Sequence, residues 1–234
     1  TIKMLVYGRN VAKEMLLNEK KVNKIYLQEN FNDKEIISLI KKREIVVENL
    51  PKFEMNKKTN GNHQGIILDI EDFKYKELQS VFNLETALLV ILDHLEDPHN
   101  LGAIIRTCEA AKVDAIIIPT DRSVNVNSTV VHTSAGTTRN VNIIQVANIA
   151  NTIRELKKYN YWVVGTDMNG VDYHNIDYKG KTAIVIGNEG SGISDVVIKN
   201  CDFIASIPMY GTVNSLNASV AAGIVIFEAV NQRK

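Results

Sequence analysis

Ile207-Pro208-Met209-Tyr210-Gly211-Thr212-Val213-Asn214-Ser215-Leu216-Asn217-Ala218-Ser219-Val220-Ala221-Ala222-Gly223 is the most informative segment of this chain. Its start reads as an apolar strand that runs into a polar turn of Gly, Asn and Ser. The turn then opens a helix of small residues, read from Leu216 to Val230. Backbone N–H and C=O groups at such a turn are left unpaired and can hold a small polar ligand. A helix that only packs has use for one capping side chain at its start. Ser215, Asn217 and Ser219 are three.

The surrounding segments identify the layer this turn belongs to. Leu88–Leu92, Ala115–Ile118, Trp162–Gly165 and Ala183–Ile186 are continuous apolar runs. Strands that are apolar on both faces belong to a parallel sheet covered on both sides. Helical patterns lie between them, at 101–111, about 127–133 and 149–158. Strands alternating with helices predict an α/β domain with a parallel sheet.

Open α/β sheets bind ligands beyond the carboxyl ends of their strands. Two further loops occupy that place. The first is Asp93-His94-Leu95-Glu96-Asp97-Pro98-His99-Asn100-Leu101-Gly102, with Arg106 in the helix that follows. Asn100 reads either as a helix cap or as a site residue. Arg106 stands in an otherwise apolar stretch, so its guanidinium must meet an anion or reach solvent. A local carboxylate and a nucleic-acid phosphate are both open as partners. The second loop is Gly187-Asn188-Glu189-Gly190-Ser191-Gly192. It lacks both the dinucleotide register and the Lys-Ser/Thr of a phosphate loop. Glu189 would repel a phosphate and suits a cationic or hydroxyl-bearing ligand.

The front of the chain is different. Residues 1–75 read as a small αβ domain. Its strands are placed at Lys24–Leu27, Ile45–Val47 and Gln64–Ile70, and its helices at 10–18 and 33–43, the second capped by Asp33. Lys57–His63 reads as a polar, basic loop, either plain surface or an RNA contact. High charge and weak apolar patterning over Phe73–Glu85 place an inter-domain linker at 76–85, with the second domain at 86–234. The chain has zero net charge, but residues 1–80 hold 15 Lys and Arg against 12 Asp and Glu. That modest excess permits an RNA-contacting front domain without requiring one. No apolar run approaches the ~20 residues of a membrane span. The first residues are interrupted by Arg9 too soon for a leader. Cys108 and Cys201 lack metal-ligand spacing and fit packing roles in a reducing cytoplasm.

Taken together, the three loops resemble the signature motifs of the SpoU (TrmH-type) RNA ribose 2′-O-methyltransferases of the SPOUT superfamily. Asp97–Gly102 through Arg106 resembles the first motif, Ile186–Gly192 the second, and Ile207–Ala221 the third. Leu5–Val11 and His63–Ile66 resemble the small substrate-binding domain, of ribosomal-protein L30e type, in bacterial members acting on a guanosine of large-subunit (23S) ribosomal RNA. The resemblance implies a C-terminal SPOUT domain tied in a deep trefoil knot, a homodimer, and S-adenosyl-L-methionine as cofactor, with no metal. It implies cofactor binding by Gly187, Asn188, Ile207, Met209 and Leu216. It implies catalytic roles for Asn100, Arg106, Glu189, Ser215 and Asn217, with Glu189 fixing either Arg106 or the loop. The stretch Thr137-Thr138-Arg139-Asn140 departs from the family pattern, where an acidic residue is common. A transfer-RNA enzyme and a non-catalytic RNA-binding relative stay open as alternatives.

Overall fold

The computed structural model describes residues 4–18 and 21–234. The first three residues, used above against a leader, lie outside them. The front of the chain forms β1 (Met4–Tyr7), α1 (Arg9–Leu17), β2 (Val22–Gln28), α2 (Lys34–Lys42), β3 (Val47–Leu50), α3 (Lys52–Lys58) and β4 (Ile66–Ile70). The remainder forms β5 (Ala87–Leu92), α4 (Pro98–Ala110), β6 (Ala115–Pro119), α5 (Ser128–Thr133), β7 (Ile143–Val146), α6 (Ile149–Lys158), β8 (Trp162–Asp172), β9 (Lys181–Ile186), α7 (Asp195–Ile198), β10 (Phe203–Ser206) and α8 (Ala218–Gln232). These make two compact units. One is Thr1–Lys74 with Val126–Arg139, and the other is Tyr75–Asn125 with Asn140–Lys234.

The front unit holds a mixed sheet in the order β1-β4-β2-β3. Asp33 caps α2, accepting from the Ile36 N–H at 3.1 Å, and Ile36 and Ile40 point inward. The strand expected at Ile45–Val47 falls instead at Val47–Leu50. Val46 is 63% exposed, and Leu50 is the residue that reaches the core. A turn at Glu44, with φ 51°, delays the strand beyond the β-branched run. The basic stretch expected as loop is in part α3, whose one buried residue, Met55, is too little to reveal a helical period.

The second unit holds six parallel strands in the order β10-β8-β9-β5-β6-β7. The continuous apolar runs of β5, β6 and β9 lie at its centre and are buried almost throughout. Residues 76–85 are no free linker. Val81 and Phe82 are buried in this unit's core, and Phe82 stacks on Tyr159 with ring centroids 4.0 Å apart. Tyr161 Oη donates to the Val81 carbonyl at 2.6 Å. Four apolar side chains, Leu78, Val81, Phe82 and Leu84, draw this charged segment into the core.

A further departure is α5, which belongs to the front unit although it lies between β6 and β7 in sequence. Its Val130 and Val131 are buried there, and His132 lies beside Tyr7 with ring centroids 5.0 Å apart. Deleting residues 1–75 should therefore uncover two valines worth roughly 1.5–3 kcal/mol each. The expected result is loss of α5 in the fragment while β5, β6 and β9 stay protected, measured by hydrogen exchange. Full protection of residues 128–133 in the fragment would contradict this.

Candidate functional site

Part of β8, at 166–168, converges with the loop after β9 and the passage after β10. They enclose a cleft of about 390 Å³, within the roughly 300–1,000 Å³ usual for small-molecule sites. Gly187 ends β9. A Cβ there would lie 2.3 Å from the Gly192 carbonyl carbon and 2.5 Å from the Ile193 nitrogen. The loop thus returns so close to the strand end that only glycine fits. The return is sealed by paired backbone bonds between Asn188 and Gly192, at 2.9 and 3.1 Å. The Asn188 side chain donates to the His94 carbonyl at 2.7 Å and accepts from the Gly190 N–H at 2.8 Å. Its side chain shapes the loop, and the residue lines the cleft.

Glu189 binds the first loop to the second. Its carboxylate accepts from the backbone N–H of Asp97 at 3.1 Å and of Glu96 at 3.4 Å, and from Asn100 Nδ2 at 3.2 Å. Desolvation opposes its charge. Bonds from its own N–H, from Asn100 and from the Asp97 and Glu96 amides outweigh that, and hold the carboxyl below its usual range. Asn100 is no helix cap. Asp97 caps α4, accepting from the His99 N–H at 2.8 Å, with Pro98 in the first turn. Asn100 is instead buried three residues beyond the cap and spends its amide on Glu189.

The third segment is the chain between β10 and α8. The strand ends at Ser206, before Ile207, because Pro208 has no N–H for a ladder. Residues 207–217 form an irregular, extended passage, and α8 begins at Ala218 rather than Leu216. Asn217 caps it, its Oδ1 accepting from the Ser219 N–H at 2.9 Å and from Ser219 Oγ at 2.6 Å. Two of the three polar side chains at this turn are therefore absorbed by capping. Ser215 is exposed, has no hydrogen bond among the described residues, and faces the cleft together with Ile207, Met209 and Leu216.

Thus Gly187, Asn188, Glu189, Ile207, Met209, Ser215 and Leu216 line one cleft, and Asn100 is tied to its rim. Asn217 and Arg106 do not line it. Arg106 is exposed on α4, with no hydrogen bond or ion pair among the described residues. Glu189 therefore secures the loop and makes no ion pair with Arg106. The sequence reading missed Asp167 and Met168, which form the opposite wall. Their signal was hidden because β8 continues to Asp172, past the point where its apolar run stops at Gly165. The charged residues lining the cleft are Asp167 and Glu189, with no Lys, Arg or His. Such a lining repels phosphate groups and accommodates a cation.

The pKa of Glu189 has a consequence for the pH response. A carboxyl depressed on folding contributes above its unfolded value of about 4.3 and loses that contribution as pH falls through the lower folded value. Protection of the Glu96 and Asp97 amides should be level near neutrality and collapse only in acid. Glu189→Gln should weaken both amide bonds by roughly fivefold in protection, since bonds to a charged acceptor are the stronger ones. It should also remove the acid step, and an unchanged step in this variant would contradict the assignment.

Comparison with known proteins bears on this geometry. Residues 87–227 match the SpoU rRNA Methylase family, and residues 5–76 match the RNA 2′-O ribose methyltransferase substrate binding domain. The chain belongs to the SpoU rRNA methylase family. A protein of Staphylococcus haemolyticus assigned to the TrmH family of tRNA/rRNA methyltransferases is 39% identical over 98% of this chain and 96% of its own. The SpoU methyltransferase AviRb from Streptomyces viridochromogenes, solved with AdoMet, shares the fold, with a TM-score of 0.84 at 24% identity over 98% of this chain and 90% of that one. The AdoMet-bound rRNA methyltransferase from Sinorhizobium meliloti gives a TM-score of 0.82 at 27% identity, over 98% and 87%. A TrmH/SpoU tRNA modifying enzyme of A. aeolicus is 32% identical, with a TM-score of 0.58, and covers 66% of this chain and 80% of its own. No helix among the described residues is long and apolar enough to cross a membrane.

Proposed function

We propose that this chain is a cytoplasmic enzyme that methylates a ribose 2′-hydroxyl in RNA, using S-adenosylmethionine held in the cleft between β8, β9 and the 207–217 passage. SpoU methyltransferases use that cofactor. The observation that carries the reading is the cleft lining. Asp167 and Glu189 suit a sulfonium and an ammonium, Ile207, Met209 and Leu216 offer apolar contact for a purine, and no cation is present for a phosphate. Bound there, the cofactor supplies an electrophilic methyl group and leaves as a neutral thioether.

The chain's own residues then have positioning tasks. Gly187 and the Asn188–Gly192 bonds hold backbone groups at the strand end. Glu189 and Asn100 lock the first loop against the second. Ser215, with its hydroxyl unspent, is read as a contact to the ribose. Asn217 acts on that ribose only indirectly, by fixing where α8 begins. Arg106 is read as the contact to RNA. A guanidinium stays protonated, so it stabilises the alkoxide forming as the 2′-proton passes to solvent water, and anchors a neighbouring phosphate. Positioning accounts for much of the acceleration, because the reaction needs neither metal nor covalent intermediate.

A guanosine of large-subunit (23S) ribosomal RNA is the proposed substrate. The rRNA methyltransferase of S. meliloti aligns with 98% of this chain and the tRNA modifying enzyme with 66%, so the former shares the part that would meet substrate. The same resemblance supports an L30e-like front domain, a trefoil-knotted backbone and a homodimer. For the dimer there is a physical sign. Helix α8 is apolar nearly all round, which marks a buried helix, yet Val220 and Phe227 are about half exposed, at 50% and 48%. Calorimetric titration with S-adenosylmethionine, and mass-spectrometric mapping of ribose methylation in RNA from cells with and without the gene, test the reading. One 2′-O-methyl lost from large-subunit RNA is expected. Loss from transfer RNA would support the other substrate, and no cofactor binding would leave a non-catalytic RNA binder.

A further inference from the structure

The front unit carries a second cavity, of about 560 Å³, among the loops that follow β1 and β2 and the segment joining α3 to β4. Six of its twelve lining residues are Asn or Gln and none is Asp or Glu. Amides carry both donors and acceptors, so such a lining reads mixed polar edges rather than a simple charge.

The cavity is built around a fixed platform. The Arg9 guanidinium lies 5.2 Å from the centroid of the Phe31 ring. Its backbone N–H donates to Gln64 Oε1 at 2.8 Å, and its Nη1 stands 3.8 Å from Asp33 Oδ2. Phe31 is packed against Gly65, whose φ is +85° and where a Cβ would come within 2.9 Å of the ring. His63 is 6% exposed. Its Nδ1 accepts from the Gly65 N–H at 3.0 Å, so Nε2 carries the proton and donates to Asn56 Oδ1 at 2.9 Å. Burial, and then the nearby charge of Lys52, lower its pKa and keep it neutral. This arrangement spends the oxygen of Asn56 and leaves its NH₂ without a partner among the described residues. Asn32 and Lys52 line the same space, and neither has a hydrogen bond or ion pair among the described residues. With Arg9 partly neutralised by Asp33, one unopposed cation remains, which suits a single phosphodiester and not a polyphosphate.

We infer that this cavity holds one unpaired nucleotide of the RNA, with its base on the Arg9–Phe31 platform, its polar edge read by Asn32 and Asn56, and its phosphate at Lys52. Unpaired bases are recognised in this manner, by stacking on aromatic or guanidinium planes and hydrogen bonding along their edges. The inference rests on the RNA-substrate reading above, and it makes the front unit a selector of sequence rather than a basic surface.

The test uses the full chain without cofactor and labelled single-stranded homopolymers of A, C, G and U, beside a fully paired RNA duplex, followed by fluorescence anisotropy. The native chain should bind single strands above duplex and one homopolymer about tenfold or more above the weakest. Asn32→Ala/Asn56→Ala should flatten that ratio. Because Asn56 also receives the His63 proton, Asn32→Ala alone serves as the second variant and should narrow the ratio severalfold. Lys52→Ala should weaken all four homopolymers alike and reduce the salt slope by about 0.7. An unchanged ratio in both Asn variants, or duplex bound as tightly as single strand, would overturn the inference. Cofactor titration of the same proteins separates the two readings. Native binding of S-adenosylmethionine beside an unchanged ratio defeats the pocket alone, and absence of cofactor binding defeats the methyltransferase reading while the ratio still tests the pocket.

Discussion

Gly187→Ala is expected to lose S-adenosylmethionine binding by roughly 10- to 100-fold. The added Cβ would stand 2.3 and 2.5 Å from backbone atoms of Gly192 and Ile193. Backbone cannot rotate aside as a side chain can, so the loop must move. Overpacking of this kind costs about 1–3 kcal/mol. It falls on the loop that presents Asn188 and Glu189, because the Asn188–Gly192 pairing lies directly across the clash. The sheet should survive, since β5 and β9 pair in register over six residues upstream. Isothermal titration with the cofactor, with thermal unfolding as control, measures both quantities. Native affinity in a folded Gly187→Ala protein would show that the cleft between β8 and β9 is not the cofactor site.

Arg106→Ala should behave in the opposite way. Cofactor affinity and assembly state should be retained, because Arg106 neither lines the cleft nor pairs with any described residue. Methyl transfer should fall ~10²–10³-fold, the scale seen when one group stabilising transition-state charge is removed. Arg106→Lys should recover only part of the rate, since an ammonium keeps the charge but not the planar fork that matches a phosphate. Exposure without a partner is itself informative. Arg106 reaches solvent, so its guanidinium is open to a phosphate from outside the chain. Single-turnover assays on RNA carrying the modified site would decide the matter, and turnover near the native rate in Arg106→Ala would remove the residue from the mechanism.

The two substitutions divide the site along a line that was partly legible in the sequence. Strands buried on both faces must be apolar at every position, so the runs at 88–92, 115–118 and 183–186 announced a parallel sheet, and the loops beyond their carboxyl ends were the places to look for a ligand. The residue types of the second loop also spoke, since a carboxylate among glycines argues against phosphate before any coordinates exist. Other features left no local trace. Asn100 looked like a helix cap because caps are chosen by the same amide chemistry, and the nearby Asp97 took that role. The 76–85 segment looked like a linker because its apolar residues follow no clear period among its charges, although Val81 and Phe82 are the ones that matter energetically. Asp167 was overlooked because a strand leaving the core ceases to be apolar while remaining a strand.

Residue chemistry and periodicity by themselves determined the α/β class and the position of the glycine-rich loop and the polar turn beyond the strands, because each depends on neighbours a few positions away. The bond from Asn100 to Glu189, the release of Arg106 from any carboxylate, and the packing of residues 126–139 with the front unit depend on contacts between segments far apart in the chain. Those contacts follow from how layers close on one another, and no local pattern encodes that closure.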